Sequence, residues 1–483
     1  MPWEGSLRNR NLDVSGASCA GAYALGHMKE FSGSAVRCLL ALLALSVAGC
    51  ATYRAQPIHP EQSARALTTR SLTNPRLRRF LAIETHRRGP PRWNLETLTL
   101  VAIYERPDMP LAVGRLAEAK AGQITAAQLP NPTLSLRPAY NTTTMVPSPW
   151  KVGPIVSFLI RAFGVRPALI ARARAQTEAA RQSVASTAWR LRATIRSALI
   201  TLWSAQRASG LAHKALAVAR RCQTAVAQRY RAGMVSATDL TAALLAREKA
   251  LLDAAASERR LRLARIGLAT AVGLPGSALR NVSLDLRGIA HPRDPGRLGP
   301  LIHAALLKRP AVLAALARYR AAEAALRLAV ARQYPSIDIG PGYRYVQGDN
   351  KFMLAVSLPL PILNQNQGPI AQARAARRVA ALEFRSTQAR VLGQIERAQT
   401  DWRASAAEAR TARRVCASAG AVLARRRVQF AAGEISRLRL LGTEETYVAT
   451  EQGALAASVH ERVALGELEA ALHHPFLIAT EQR

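Results

Sequence analysis

Acidic residues are scarce in this chain of 483 residues. It has 31 Asp and Glu against 67 Lys and Arg, which gives a formal net charge of +36. Such an excess can mark a protein that binds nucleic acid or an anionic membrane. The arginines do not form one block, however, but stand singly along helical stretches such as ARARAQTEAAR at 171–181. This spacing favours a solvated, cationic helix face.

The chain also lacks the residue clusters that catalysis and metal binding require. Of its nine histidines, only His473 and His474 are close, and adjacent positions on a helix point to different faces. No Cys, His and Asp residues have the spacing of metal ligands. The sequence therefore predicts no enzyme, no metal site and no cofactor other than the lipid described below.

Long apolar runs are missing too, with one exception near the N-terminus. The segment from Cys38 to Ala48 is apolar, but its eleven residues are too few to span a bilayer as a helix. Its length and the basic residues upstream are typical of the core of a signal peptide. We therefore expect no helical membrane span, so that any spanning segment must be a β-strand.

The apolar segment ends in Val47-Ala48-Gly49-Cys50, which resembles the lipobox of bacterial lipoproteins. The resemblance implies that Cys50 is acylated and becomes the first residue of the mature chain. Ala51 follows in place of the aspartate expected for inner-membrane retention, which favours the outer membrane. Residues 1–27 are polar and do not fit a signal peptide, so we expect translation to start at Met28.

Processing leaves Cys222 and Cys416 besides the lipidated cysteine. They lie 11 and 17 residues before Gly233 and Gly433, respectively. On parallel helices this difference is an offset of about 9 Å, which is too large for a disulfide. Both are expected to be small buried side chains.

Four segments alternate with a period of two and have about ten residues each, the length of a transmembrane strand. They are 132–140, 151–160, 336–346 and 351–360. Large apolar residues occupy one face of each segment, and polar residues, among them Arg137, Asp338 and Arg344, lie on the other. A small soluble antiparallel sheet is the alternative interpretation.

The remaining sequence predicts unusually long helices. No further proline interrupts the stretches 167–229 and 369–429, and at about 1.5 Å per residue the first is about 95 Å long. Its apolar residues follow a coiled-coil spacing: Val184, Ala188, Leu191, Ile195, Ala198, Leu202 and Ala205. Shorter helices are predicted at about 95–129, 238–272, 298–333 and 437–473.

The two halves of the chain repeat each other, as short helix, two strands, long helix, glycine turn and short helix. The matching segments are 131–140 and 334–343, IARARA (170–175) and IAQARA (370–375), and YRAGMVS (230–236) and FAAGEIS (430–436). The predicted boundaries are 1–49 for the upstream extension and signal peptide, 50–94 for the lipidated segment, 95–272 and 298–473 for the repeats, 273–297 for the Gly- and Pro-rich linker between them, and 474–483 for the tail.

With these features the chain resembles the TolC-like family of outer-membrane efflux proteins over residues 50 to about 473. The similarity lies in PNPTLSL (130–136), in the glycine turns and in VSLPLPILNQNQGPI (356–370). The last segment is most similar to the CzcC-like branch, which serves heavy-metal cation efflux. The resemblance implies a mainly α fold with a small β portion. In that fold three chains form a twelve-stranded barrel in the outer membrane and a twelve-helix tunnel across the periplasm.

The residues alone require an oligomer, because four strands cannot close a membrane barrel and an open edge in lipid leaves backbone groups unsatisfied. Two copies would give eight strands and three would give twelve, so the strand count leaves both open. The resemblance selects the homotrimer.

The resemblance also implies partners and functional residues. The turns would be periplasmic tips that dock a hexameric adaptor, which is itself bound to an inner-membrane RND pump. The tip residues are Gly233, Met234, Val235, Ser236, Gly433, Glu434, Ile435 and Ser436. Arg137, Asp338 and Arg344 are pore-facing candidates, and Glu408, Glu444 and Glu445 are candidates for the acidic residues that close the periplasmic end.

The expected function is a passive exit duct from the periplasm for heavy-metal cations, or alternatively for drugs or other organic compounds. A periplasmic coiled-coil adaptor lipoprotein is the alternative from another class. It would need lipoyl-like β halves flanking one hairpin, whereas this chain has two hairpins. The export signal disfavours a nucleic-acid partner.

Overall fold

The fold is described here from a computed structural model. It describes residues 51–86, 89–142, 147–292 and 294–476. The predicted signal peptide, the start at Met28 and the lipid site at Cys50 lie outside these residues. The chain divides into two compact units, Met1–Gly89 and Pro90–Arg483.

Within residues 51–86, the described residues of the first unit include two short helices, α1 (Pro60–Thr68) and α2 (Pro75–Thr85). Proline occupies the first turn of each, where its missing N–H costs no helical hydrogen bond. Asn74 caps α2 by accepting a hydrogen bond from the backbone N–H of Arg76 at 2.9 Å.

The second unit is mostly helical. Its described helices are α3 (Leu95–Glu105), α4 (Asp108–Ala127), α5 (Val165–Arg231), α6 (Ala237–Val272), α7 (Arg287–Ala290), α8 (Gly299–Lys308), α9 (Pro310–Ala331), α10 (Gln367–Ala431) and α11 (Arg437–Leu472). Helix α5 packs along α4, α6, α9 and α11, and α10 packs along α9 and α11. Helices α4 and α6 thus border one side of this arrangement, and α10 borders the other.

The two long helices confirm the prediction from the proline-free stretches. Helix α5 has 67 residues and α10 has 65, so each is about 100 Å long. Val184, Leu191, Ile195 and Leu202 of the predicted seam are all at most 3% exposed. The seam therefore contributes to the helix–helix core.

The predicted helices at 95–129 and 298–333 are each two helices, because a proline interrupts them at the same place in both repeats. Arg106 and Arg309 precede Pro107 and Pro310, and their ψ angles are 141° and 133°. A residue before proline avoids the helical region. The helix therefore ends at that residue, and a new one begins after it.

The strands in the described part of the chain are β1 (Thr133–Leu136), β2 (Ala139–Tyr140), β3 (Trp150–Val152), β4 (Pro154–Ile160), β5 (Ile337–Val346) and β6 (Asp349–Ser357). They pair antiparallel as β1–β4, β2–β3, β3–β5, β4–β5 and β5–β6. Two of the predicted strands are thus interrupted. Pro138 has no N–H to donate to the neighbouring strand, so it divides the first segment into β1 and β2. Gly153 separates β3 from β4 in the second.

The turn between β5 and β6 is shorter than predicted. Gln347 and Gly348, with φ of 55° and 113°, form a two-residue hairpin turn, so only two residues connect the strands that were predicted at 336–346 and 351–360. The connection 141–150 between the strands predicted at 132–140 and 151–160 ends at Pro149, because Trp150 already pairs with Tyr140. Its residues 143–146 lie outside the described part of the chain.

One described stretch, Gly299–Ala331, is long and apolar enough to cross a membrane as a helix. The expectation of no such stretch was therefore wrong on length and composition. The extended backbone of Arg309 breaks it into α8 and α9, and α9 packs along α5 and α10.

A buried ion-pair cluster joins the two repeats. Glu469 on α11 accepts from Arg192 Nε at 2.8 Å, from Arg196 and from the backbone N–H of Phe476 at 3.1 Å. Glu469 and Arg196 are 2% and 3% exposed. Burial lowers the pKa of Arg196, and the Glu469 carboxylate opposes that shift. The cluster fixes α11 against α5.

Arg462 on α11 holds the segment between the repeats in place. Arg462 stacks over the ring of Trp203 at 4.2 Å. Its Nε donates to the carbonyl of Ile289 at 2.8 Å, and a terminal nitrogen donates to that of Ala290 at 2.5 Å. These contacts satisfy the C-terminal carbonyls of the short helix α7.

His473 provides a pH-dependent contribution to stability. It stacks on Trp189 with a centroid distance of 4.9 Å, and burial, with Arg309 nearby, lowers its pKa to about 3. Between about pH 6.5 and 3 the unfolded chain binds a proton at this residue and the folded chain does not. The free energy of unfolding should therefore fall with decreasing pH in this window, by at most about 1.4 kcal/mol per unit.

We expect His473→Asn to flatten this slope, since asparagine tolerates the left-handed backbone that His473 adopts with φ of 51°. Urea unfolding at pH 7.5, 6 and 5 would measure it. His303→Asn, at an exposed position on α8, is the matched control and should retain the slope. Equal slopes in both variants would refute the assignment.

Candidate functional site

The sheet has one continuous apolar face. Cross-strand partners share a face. On this face the registers pair apolar residues with apolar residues, except that Asn350 lies opposite Tyr345. This face comprises Leu134, Leu136, Tyr140, Trp150, Val152, Pro154, Val156, Phe158, Ile160, Ile337, Ile339, Pro341, Tyr343, Tyr345, Phe352, Leu354 and Val356. Phe352, Leu354 and Val356 are 89%, 65% and 56% exposed. An exposed patch of this extent indicates an apolar environment or partner.

Aromatic residues concentrate at the hairpin-turn end of this face. Tyr140 and Trp150 form an edge-to-face pair with ring centroids 5.0 Å apart. Tyr343 and Phe352 form another at 5.7 Å, and Tyr345 lies next to them on β5. Aromatic belts of this kind are typical of strands that end at a membrane–water interface.

The opposite face is mainly polar or lacks side chains. The pairing places all three pore-facing candidates, Arg137, Asp338 and Arg344, on it, together with Lys151 and Lys351. Gly340 and Gly342 leave its central part open, and Ile155, Leu159 and Met353 are its larger apolar residues. Sequence reasoning missed the lysines, although they obey the same alternation.

Gly153 allows a close approach between the two repeats. A Cβ atom built on it would lie 2.1 Å from the carbonyl oxygen of Tyr343 and 2.7 Å from the Cα of Arg344. Both are backbone atoms of β5, which cannot move away alone. Any side chain at this position would force the strands apart.

Gly153→Ala should therefore disturb the pairing of β3 and β4 with β5 and lower the free energy of unfolding by about 1–3 kcal/mol, as overpacking does. Gly210→Ala is the control, because a Cβ there meets nothing within 4 Å. Protease resistance and yield of the folded, membrane-inserted protein would compare them. Equal behaviour of both variants would show that the strands can separate at no cost.

The glycine turns have the same geometry in both repeats. Gly233 and Gly433 have φ of 72° and 77°. The N–H of Met234 donates to the carbonyl of Arg229, and that of Glu434 donates to Gln429, both at 2.9 Å. A hydrogen bond from an N–H to the carbonyl five residues earlier is characteristic of the Schellman motif, a helix end that favours glycine.

The next helix then starts at a serine cap, and here the tips differ. Ser236 and Asp239 cap each other's backbone N–H groups, at 3.1 and 3.0 Å, which forms a capping box. Ser436 accepts from the N–H of Arg439 at 3.4 Å, and arginine at that position cannot return the bond. The first tip is therefore more firmly capped.

The tip residues are available to a partner. Met234 is 59% exposed, and Gly233, Ser236, Gly433, Glu434 and Ser436 are exposed as well, while Val235 and Ile435 are half-buried. The alternation of buried and exposed positions is the same in both tips.

Among the acidic candidates, Glu444 is engaged within its own chain. It is 8% exposed, and it pairs with Arg221 at 2.6 Å and Arg427 at 3.4 Å. It thus ties α11 to α5 and α10. Glu408 and Glu445 are exposed.

Cys222 and Cys416 are free thiols, and both are half-buried, whereas buried side chains were expected. Burial raises the pKa of Cys222, and the nearby Glu445 adds to the shift. Within the described residues, no three His, Cys, Asp or Glu side chains are grouped so that they could hold a metal ion.

Comparison with known proteins agrees with this arrangement. The sequence profile of the family described as outer membrane efflux protein matches residues 102–274 and 301–472. These ranges correspond closely to the two repeats.

A curated relative is the cobalt-zinc-cadmium resistance protein CzcC of Cupriavidus metallidurans, which is 25% identical over 283 residues. The match covers 57% of this chain, and the chain spans 64% of the length of that relative.

Solved structures share the fold. CusC matches with a TM-score of 0.65 and 20% identity, over 79% of this chain and 92% of that chain. The outer membrane protein VceC of Vibrio cholerae matches with a TM-score of 0.65 and 18% identity, over 79% and 96%. Because the family profile covers most of the sequence, the chain belongs to the outer membrane efflux protein family.

Proposed function

We propose that this protein is the outer-membrane channel of a tripartite efflux system, a passive duct without catalytic activity. The one-sided sheet carries this proposal. Its apolar face is exposed along its length and ends in aromatic pairs, as expected of strands whose outer face meets lipid.

The edges of the sheet support an oligomer. In a single chain, β1 and β2 form one edge and β6 forms the other, without a described partner on their outer sides. Open edges are not tolerated in lipid, so neighbouring chains must supply the missing pairs. Three copies of the four strand segments give the twelve-stranded barrel of the proposed homotrimer.

Exposed apolar side chains on the bordering helices agree with such an assembly. Leu245 and Leu252 on α6 are 66% and 71% exposed, and Val379 and Leu382 on α10 are 53% and 61% exposed. In a trimer, α10 of one chain would pack against α4 and α6 of the next and bury them.

The tips would dock a periplasmic adaptor that is bound to an inner-membrane RND pump. Two tips of the same geometry in each chain give six near-equivalent contacts in a trimer, which suits a hexameric adaptor. Heavy-metal cations are the cargo that the name of the curated relative suggests, and drugs or other organic compounds are the alternative.

Acylation of Cys50 would anchor the mature chain in the outer membrane. The N-terminal segment 50–94 would then run from the lipid to the first repeat, 95–272, and the linker 273–297 would connect it to the second, 298–473, with 474–483 as a tail.

Two measurements on membrane extracts and whole cells test this function. The protein should migrate as a heat-modifiable trimer. A cysteine introduced as Ser148→Cys in the loop after β2 should react with a membrane-impermeant maleimide on intact cells. A monomeric species labelled only after lysis would instead favour a periplasmic adaptor.

A further inference from the structure

The polar face of the sheet carries a row of basic side chains at one level. Arg344 pairs directly with Lys351 across β5 and β6. Gly153 lies next to Arg344, between the pairs Val152–Tyr345 and Ile155–Gly342. Arg137 lies opposite Gly153 by the register that holds on both sides of it. We call Arg137, Arg344 and Lys351 the cationic belt.

The belt is only weakly neutralised within the chain. Lys351 lies 3.5 Å from Asp349, and these side chains are 57% and 73% exposed. Within the described residues, Arg137 and Arg344 have no acidic group within ion-pair distance. Like charges opposite each other destabilise a sheet, and an anion between them would relieve that repulsion.

The other charges on this face do not cancel the belt. Lys151 lies one cross-strand pair nearer the hairpin turns. It pairs with Val346 on β5, which in turn pairs with Asp349 on β6. Asp338 lies six residues before Arg344, which is about 20 Å along the strand. The face thus carries four basic and two acidic side chains, and the levels between Asp338 and the belt contain Gly340 and Gly342.

We infer that the belt makes the outer end of the duct selective for anions. This inference rests on the proposed function, since it takes the polar face to line the lumen of the trimer. Three chains would then place nine basic side chains at one level, where low-dielectric walls strengthen their field. The favoured cargo class is small anions, including metals carried as negatively charged complexes. Free divalent cations are repelled, so this inference disfavours the first of the two cargo candidates given under the proposed function.

Purified trimers in planar bilayers under a tenfold KCl gradient provide the test. We expect a reversal potential that corresponds to a chloride permeability at least about threefold above that of potassium. The preference should shrink in 1 M salt, where the Debye length is about 3 Å. The triple variant R137Q/R344Q/K351Q should bring the ratio close to one or below.

The variant R76Q/R78Q/R79Q is the matched control. It removes the same number of charges from α2, outside the sheet, and should keep the chloride preference. Lys351→Glu, at an exposed position, is a milder second variant and should reduce the ratio at least about twofold.

The outcomes separate the belt from the channel. A wild type that prefers cations would refute the anion selectivity of the belt without refuting the channel. So would a chloride-to-potassium permeability ratio that the triple variant leaves unchanged. Absence of ion conductance from verified trimers would overturn the channel, and the belt with it.

Discussion

Valine at both glycine turns should abolish the proposed efflux and leave the proposed trimer in the membrane. Gly233 and Gly433 have positive φ, which a β-branched residue does not readily adopt, at a cost of about 1–3 kcal/mol each. A Cβ at either position meets nothing within 4 Å. The strain therefore comes from the backbone alone. It should distort the turn and move the ends of the two connected helices apart.

The distance to the sheet makes this effect separable from folding. Helices α5 and α10 place about 100 Å of helix between each turn and the strands. Trimer formation should survive in Gly233→Val/Gly433→Val, whereas cross-linking to the adaptor and substrate tolerance of the cells should fall to the level of a deletion strain.

Asparagine provides the control at the same positions, because it tolerates the left-handed conformation. Gly233→Asn/Gly433→Asn should keep efflux near that of the wild type. Adaptor contact at the first tip, with Met234, should resist salt better than contact at the second, with Glu434, since exposed charges are screened. Normal tolerance in the double valine variant would show that the turns are only helix ends.

The second large effect is expected at the buried ion pair. Glu469→Gln removes the carboxylate that faces Arg192 and Arg196, and it leaves the buried Arg196 and the partly buried Arg192 without a counter-charge. Breaking a buried pair in this way costs about 3–5 kcal/mol. Urea unfolding of the detergent-solubilised protein, at one fixed protein concentration, would measure it.

Glu451→Gln on the same helix is the matched control. Its partner is Lys214, and the two side chains are 21% and 46% exposed, so the expected loss is below about 1 kcal/mol. Replacing Arg192, Arg196 and Glu469 together by apolar residues of similar size should recover most of the loss. A loss at Glu469 no greater than that at Glu451 would contradict the proposed cost of the uncompensated charges.

Much of the sheet could be predicted because alternation in a strand is local. The positions of Leu354, Phe158 and Arg344 within their segments already determine their face, and the pairing does not alter it. The interruption near Pro138 follows from its missing N–H. The role of Gly153 does not, since it depends on how closely β5 approaches from 190 residues further along the chain.

In the helical part, too, local features could be predicted from the sequence, and contacts between distant residues could not. Proline-free stretches predicted α5 and α10 to within two residues at each end. The breaks at Pro107 and Pro310 could have been predicted from the prolines themselves. They were missed because the apolar periodicity continues across both prolines. Glu469 had no such signal. Its partners lie more than 270 residues away, and only packing of α11 against α5 brings them together.

The most direct measurement of the central claim is cysteine labelling along β6 in intact outer membranes. Single cysteines replace Lys351, Met353 and Ala355 on the polar face, and Phe352, Leu354 and Val356 on the apolar face. A small hydrophilic maleimide should modify the first three readily and the second three hardly at all, because in the proposed channel lipid covers the apolar face and water fills the duct. Equal modification of neighbouring positions, or the reverse alternation, would contradict a sheet that separates lipid from an aqueous channel.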